Sequence, residues 1–196
     1  PGPQPNGLHA ADDGLWYIDQ VDLKVYKLDY QTGEILFEAQ TDTEHSSGIT
    51  FGNGSLWVAS TFELKSAELD PATGSMSLLH RTTDVEHPFL MTLSPDRRFL
   101  YTNHSPGGFG KGGDQVASYE LVGRTGELKL LNRQSVVGTA ACYTEIDSSA
   151  RSVLVAHYDS GQIVSLPVLK DGALGEVVSV MTHEGRSVNA DRQECA

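Results

Sequence analysis

Short stretches that alternate apolar and polar residues recur along the whole chain, with turn-forming residues between them. Aromatic and β-branched residues dominate the second stretch of each group, as in residues 56–59 (LWVA) and 153–156 (VLVA). Asn53-Gly54 supplies the backbone angles that a tight hairpin needs. No window of about 11 residues carries a helical stripe. The pattern therefore predicts an all-β chain built from short hairpins.

The pattern repeats with a fixed spacing of 41 residues in the first half of the chain, where Leu15-Trp16 recurs as Leu56-Trp57. Weaker echoes continue to about residue 185. Each repeat has room for four short strands, and four-stranded repeats of about 40–50 residues are typical of propeller blades. We predict a single β-propeller domain over residues 1–196, with about four blades.

The predicted blades are residues 7–44, 45–86, 87–140 and 141–185, followed by a tail at 186–196. The third is longer because a glycine-rich insertion, residues 105–115, separates its second and third strands. Four blades leave three arrangements open: a closed four-bladed ring, a homodimer whose two chains complete one ring, and a fragment of a larger propeller. Unpaired edges of terminal blades would favour association.

Composition narrows the classes of partner. The net charge of −12 argues against nucleic acid, because phosphate backbones are bound by clustered Lys and Arg. No apolar run approaches the roughly 20 residues of a membrane helix, so we expect no membrane partner. Two cysteines, Cys142 and Cys195, cannot form a disulfide framework. The compartment stays open between the cytoplasm, which is favoured, and the periplasm or export.

Several site motifs are missing from the sequence. The glycine-rich insertion has no Gly-Lys-Ser/Thr, and no Gly-x-Ser-x-Gly nucleophile elbow occurs. His9, His45, His87 and His104 fall near predicted strand ends, but none stands in a His-x-His or Glu-x-x-His spacing. We therefore predict no metal site and no cofactor.

Four stretches of the second half carry a family resemblance: 87–101 (HPFLMTLSPDRRFLY), 125–132 (TGELKLLN), 153–172 (VLVAHYDSGQIVSLPVLKDG) and 183–194 (HEGRSVNADRQE). Together they resemble the lactonase family with a seven-bladed β-propeller, which includes bacterial 6-phosphogluconolactonase and fungal carboxymuconate cyclase. The resemblance covers residues 87–194. Residues 1–80 are instead similar to Trp-containing propellers such as virginiamycin B lyase and its YncE-like relatives. The resemblance implies that the chain is part of a larger propeller.

The chain departs from the family pattern at a few positions. His157 stands where the family usually has Asn, and His104 stands where it usually has Glu. The family continues after Arg-Gln-Glu with Pro-His-Ala-His-Ser, whereas Cys195-Ala196 stand here.

The resemblance implies a hydrolase that opens a sugar lactone by attack of water, with a small lactone or sugar derivative as its partner. This reaction needs a base for the water and hydrogen-bond donors for the oxyanion. Imidazole titrates near neutrality, and a carboxylate on a first strand can face the central channel. The candidate catalytic groups are His183, His157 and Glu145.

The candidate substrate-binding residues are Arg192, Arg186 and Tyr143. The two arginines would contact an anionic group or the lactone carbonyl. Tyr143 shares one face of its strand with Glu145, because side chains alternate along a strand. Two alternatives to the hydrolase stay open: a non-catalytic propeller that binds a protein or a small ligand, and a truncated or fused propeller without independent activity.

Overall fold

The computed structural model describes residues 2–70, 72–73 and 75–185, and its described residues form strands, turns and loops without a helix. Sixteen strands, β1 to β16, form four antiparallel sheets of four strands in this part of the chain. In each sheet, neighbours in sequence are neighbours in space. This meander is the topology of a propeller blade, so the predicted fold class, an all-β propeller of four-stranded blades, is confirmed.

The first two sheets are built from the first half of the chain. Sheet 1 comprises β1 Pro5–Ala11, β2 Gly14–Asp19, β3 Lys24–Leu28 and β4 Ile35–Gln40. Sheet 2 comprises β5 Ser46–Gly52, β6 Ser55–Ser60, β7 Glu63–Asp70 and β8 Ser75–Thr82.

The last two sheets follow in the same order. Sheet 3 comprises β9 Pro88–Leu93, β10 Phe99–His104, β11 Gln115–Leu121 and β12 Leu128–Ser135. Sheet 4 comprises β13 Ala141–Ile146, β14 Ser152–His157, β15 Gln162–Pro167 and β16 Ser179–Thr182. None of the described residues forms a helix long and apolar enough to cross a membrane.

The chain divides into two compact units. Of the described residues, the first unit contains those up to Pro88 together with Val122–Glu127, and the second contains Phe89–Leu121 and those from Leu128 onwards. In the first unit, Trp16 of sheet 1 stacks on Phe51 of sheet 2 with ring centroids 5.6 Å apart and planes at 5°. Both repeat tryptophans are buried, because large aromatic surfaces gain most from leaving water.

In the second unit, sheets 3 and 4 share one apolar core that includes Tyr101, Val116, Val153 and Val155. Tyr101 Oη donates to the carbonyl of Gly172 at 3.0 Å. Gly172 has φ +87°, and a Cβ there would lie 2.3 Å from the Phe99 ring. Only glycine fits this turn, which brings sheet 4 against sheet 3.

A left-handed residue precedes the first strand of sheets 2, 3 and 4. His45, His87 and Ala140 have φ values of 52°, 44° and 62°. Non-glycine residues seldom adopt such angles, and histidine is among those that do so more often. The repeated turn sets where each first strand begins, and so fixes which of its side chains face the same way.

Candidate active site on the first strands

Each first strand carries a polar side chain at the same register position. The four positions are His9, Thr50, Thr92 and Glu145, at spacings of 41, 42 and 53 residues. The last spacing is longer because the insertion lies between them. His9 and Thr50 pair in register with Trp16 and Trp57, and Glu145 pairs with Leu154.

Within each unit, two of these side chains touch. His9 Nδ1 lies 3.3 Å from Thr50 Oγ1 in the first unit. Thr92 Oγ1 donates to Glu145 Oε1 at 2.8 Å in the second unit. A hydrogen bond between the first strands of adjacent sheets therefore recurs, and in the second unit it holds a carboxylate.

Three donors orient Glu145. Besides Thr92, the backbone N–H of Ile146 donates to Oε1 at 3.1 Å, and Tyr143 Oη donates to Oε2 at 3.2 Å. The side chain is nevertheless exposed to solvent. An oriented carboxylate in contact with water can remove a proton from that water or accept a hydrogen bond from a sugar hydroxyl.

Tyr143 remains a donor at neutral pH. Partial burial raises the pKa of its phenol above the usual 10.0, and the charge and hydrogen bond of Glu145 raise the pKa further. Tyr143 and Glu145 lie on one face of β13, and the tyrosine ring is 52% exposed. The pair thus presents a phenol and a carboxylate together to solvent.

His157 lies apart from this pair. It is the last residue of β14 and pairs in register with Ala141, four residues before Glu145. Four residues of strand span about 13 Å. The imidazole is only 4% exposed, and burial lowers its pKa, although the Gln162 carbonyl and the Asp114 charge counteract part of this effect. The structure therefore separates His157 from Glu145.

His183 is also distant from Glu145. It follows the outermost strand β16, is exposed, and its backbone N–H donates to the Gly161 carbonyl at 2.7 Å. Three strand spacings, about 14 Å, separate β16 from β13. Arg186 and Arg192, the predicted cations, lie outside the described residues.

The insertion adds an aromatic pair to the second unit. It leaves β10 at Ser105 and enters β11 after Asp114, and Phe109 within it stacks on Phe89 of β9 at 5.2 Å and 25°. Phe109 is 46% exposed. Lys111 on the same insertion is an exposed cation. An exposed aromatic ring can contact the apolar face of a sugar ring, and an exposed ammonium can bind an anionic group.

The described residues contain no group of three or more His, Cys, Asp or Glu side chains that could hold a metal ion. A cavity of about 360 Å³ lies in the first unit, lined in part by Val58, Lys65 and Met76. The Lys65 ammonium is already bonded to Asp42 and Glu63. Because its hydrogen-bonding capacity is used within the protein, this cavity offers little to an anionic ligand.

Thr92 and Phe109 were not predicted as site residues. The spacing of first strands could have identified Thr92, since it stands 53 residues before Glu145. The insertion hides this relation in a search for a constant repeat of 41 residues. No sequence signal marks the stacking of Phe109 on Phe89.

The family model described as Lactonase, 7-bladed beta-propeller, matches residues 54–196, well over half of the chain. The chain belongs to this lactonase family. The matched region begins near the start of β6, so it covers part of sheet 2 as well as sheets 3 and 4. The predicted resemblance over residues 87–194 is confirmed and extends further towards the N-terminus.

Two curated relatives carry the name 6-phosphogluconolactonase. The Bacillus subtilis protein is 32% identical over 129 residues, which are 66% of this chain and 36% of that protein. The Formosa agariphila protein is 23% identical over 131 residues, again 66% of this chain and 36% of that protein. This lactonase-family chain thus spans about a third of the length of the curated relatives it matches.

Solved structures resemble the chain in fold. A protein from Bacteroides fragilis, provisionally assigned as a 6-phosphogluconolactonase, is 25% identical with a TM-score of 0.62, covering 75% of this chain and 38% of its own. A Lactobacillus plantarum protein has a TM-score of 0.67 at 17% identity, over 96% of this chain and 57% of its own. The second likeness concerns the fold alone.

Proposed function

We propose that this lactonase-family chain contributes to the hydrolysis of a sugar lactone by attack of water, with Glu145 as the base. The observation that carries the proposal is the exposed Glu145 carboxylate, which Thr92 and Tyr143 orient from a first strand. In this reaction, Glu145 takes a proton from water while the water oxygen bonds to the lactone carbonyl carbon. The ring C–O bond then breaks, and the alkoxide receives a proton to give the open hydroxy acid.

The name shared by the curated relatives supports 6-phosphoglucono-δ-lactone as the substrate to test first. A phosphorylated substrate needs local cations, because the net charge of −12 opposes anions at long range. Arg186 and Arg192 remain our proposal for this role. Tyr143 would contact a sugar hydroxyl or the lactone carbonyl, and His157 and His183 are proposed only as secondary acid–base groups because of their distance from Glu145.

The test measures lactone opening by proton release, with 6-phosphoglucono-δ-lactone and glucono-δ-lactone as substrates. The purified chain should open the lactone faster than buffer does. Glu145→Gln should lower the enzymatic rate by about 100-fold or more, as expected for loss of a general base. Glu176→Gln, which removes an exposed carboxylate in the connection between β15 and β16, is the matched control and should retain the wild-type rate.

Two outcomes would contradict the proposal. If the chain opens neither lactone faster than buffer, it is no hydrolase by itself. If Glu145→Gln retains the full rate, the base is another group.

A second candidate function is a non-catalytic binding module, and the separation of both histidines from Glu145 favours it. In that case glucono-δ-lactone or its open acid should raise the melting temperature without turnover. Glu145→Gln should then weaken this shift, since the carboxylate would still bind sugar hydroxyls. A ligand that leaves the melting temperature unchanged would exclude this reading.

A further inference from the structure

The two ends of the insertion, Ser105 and Asp114, form its neck in the second unit, and both carry buried polar side chains. Ser105 follows β10 and Asp114 precedes β11, next to the paired residues His104 and Gln115. Ser105 is 2% exposed and Asp114 is fully buried. Neither Ser105 Oγ nor Asp114 Oδ1 has a hydrogen-bond partner among the described residues. A buried polar atom without a partner costs about 1–3 kcal/mol, so the neck needs a further group.

Asp114 is tied to the start of sheet 4. Its other oxygen, Oδ2, accepts the backbone N–H of Ala141 at 2.7 Å. Ala141 is the first residue of β13 and pairs in register with His157. The carboxylate therefore lies beside the imidazole, close enough for its charge to act on that ring.

The hydrogen bonding of His157 defines its tautomer. Nδ1 lies 3.4 Å from the Gln162 carbonyl, which can only accept, so the neutral ring carries its hydrogen on Nδ1. Nε2 then presents a lone pair, and this atom is buried without a partner among the residues described. Gly138 holds the ring in place: it has φ +129°, and a Cβ there would lie 2.7 Å from ring atoms.

Asp114 Oδ1 and His157 Nε2 are therefore two buried acceptors without a donor among the described residues, and both residues meet at Ala141, which donates its N–H to Asp114 and pairs in register with His157. A molecule that donates two hydrogens from one atom would satisfy both. We propose that this pair binds one buried water molecule, with the Ser105 hydroxyl as a third partner. Three polar partners are the usual number for a buried water. Asp114 then acts as a positioning residue that fixes the start of β13, the strand that carries Tyr143 and Glu145.

A proton could also satisfy the pair, if His157 became an imidazolium bonded directly to Asp114. Burial lowers the pKa of His157, which keeps the ring neutral at pH 7 and favours water over this ion pair. The two arrangements differ in the protonation of Nε2. The water site does not depend on lactone hydrolysis, so its test and the test of Glu145 succeed or fail separately.

The direct test is nuclear magnetic resonance of the wild-type chain at pH 7. The ring-nitrogen chemical shifts of His157 should report a protonated Nδ1 and a bare Nε2, and the ring protons should show magnetisation transfer from a slowly exchanging water. A protonated Nε2 would replace the water site with an ion pair. A bare Nε2 without transfer from water would also overturn the proposal.

Substitutions provide an independent test through thermal melting. Asp114→Ala leaves the Ala141 N–H and the water without their partner, and should lower the melting temperature by roughly 4–8 °C. Asp114→Asn keeps an oxygen for Ala141 and offers an N–H to the water, which can still donate to Nε2, so it should restore most of that loss. Asp159→Asn, an exposed carboxylate two residues after His157, is the charge-matched control and should leave the melting temperature unchanged.

The comparison separates hydrogen bonding from charge. If Asp114→Asn is as damaging as Asp114→Ala, the site needs a negative charge and the ion pair is the correct description. If Asp114→Ala costs nothing, the carboxylate has no positioning role.

Discussion

A single imidazole illustrates how burial changes the chemistry of a residue. His157 sits at the end of β14, where its ring is confined by Gly138 and is almost fully removed from solvent. A general base must reach the water or substrate that it deprotonates. Glu145, by contrast, is exposed and oriented. At the scale of the residue, exposure therefore favours Glu145 over His157 as the base of the proposed reaction.

The burial of His157 predicts a pH dependence of stability. Its folded pKa is lowered from 6.5, so below pH 6.5 the unfolded chain gains a proton that the folded chain resists. The contribution to the free energy of unfolding is therefore complete above pH 6.5 and falls as the pH decreases towards the folded pKa. Asp114 faces the ring from the neck of the insertion, and its negative charge limits this loss of stability because it raises the pKa of His157.

Urea unfolding at pH 7.5 and 5.5 measures this effect. The wild type should lose more stability between these two values than His157→Gln does. His183→Gln removes an exposed histidine and should keep the wild-type loss. Equal losses in all three proteins would show that His157 does not contribute to the pH dependence.

At the scale of the element, polar side chains donate to backbone carbonyls at the start of the first strands. In the first unit, Asn6 donates to the Ser46 carbonyl and Ser47 donates to the Pro88 carbonyl. In the second unit, Asn103 donates to the Ala141 carbonyl. Ser46, Pro88 and Ala141 begin the first strands of sheets 2, 3 and 4, so the same backbone position accepts each time.

Removing one of these links should destabilise the second unit. Asn103 also accepts the Leu90 N–H at 2.9 Å and is fully buried. Asn103→Ala leaves a buried donor and a buried acceptor without partners, and should lower the free energy of unfolding by about 2–4 kcal/mol. Chemical denaturation checks this value. Gln115→Ala, at the first residue of β11, is the control and should change the free energy of unfolding by less than about 0.5 kcal/mol.

Repetition made the strands predictable from the sequence, whereas the partners of the site were not. Leu15-Trp16 and Leu56-Trp57 indicate equivalent strands, because a buried aromatic at the same place in each repeat needs the same surroundings. Strand alternation also places Tyr143 beside Glu145. The bond from Thr92 to Glu145 joins two sheets across the insertion. The number of residues between Thr92 and Glu145 depends on the length of the insertion. The alternation of side chains along a strand carries no information about that length.

His157 shows a second limit of the sequence. The pattern VLVAH marks the end of a strand, but the burial of its last residue depends on Gly138 and Asp114. These residues come from the connection before β13 and from the insertion. Packing between distant segments decides whether a histidine meets solvent, and a local pattern cannot contain that information.

At the scale of the whole molecule, one face of sheet 4 is unlike its counterpart in sheet 3. Leu154, Ile163 and Met181 on this face are 42%, 46% and 67% exposed. Tyr101 and Val116 hold the positions in sheet 3 that correspond to Leu154 and Ile163, and both are fully buried within the second unit. The face of sheet 4 therefore has the apolar character of a sheet-to-sheet contact.

We expect a second copy of the chain to cover the part of this face that β14, β15 and β16 form, and to leave Tyr143 and Glu145 on β13 open to solvent, in line with the homodimer left open by the sequence. Exposed apolar sheet surface costs free energy, and a neighbouring sheet is what buries the same positions in sheet 3.

Light scattering across a concentration series should show a mass that rises above that of one chain. Leu154→Lys should shift it back towards the monomer without lowering the melting temperature, because the lysine enters an exposed position. Leu169→Lys, at an equally exposed leucine in the turn after β15, should associate like the wild type. A wild-type chain that stays monomeric at every concentration would leave this face to a partner other than a second copy, and equal association of the two lysine variants would place the contact elsewhere on the molecule.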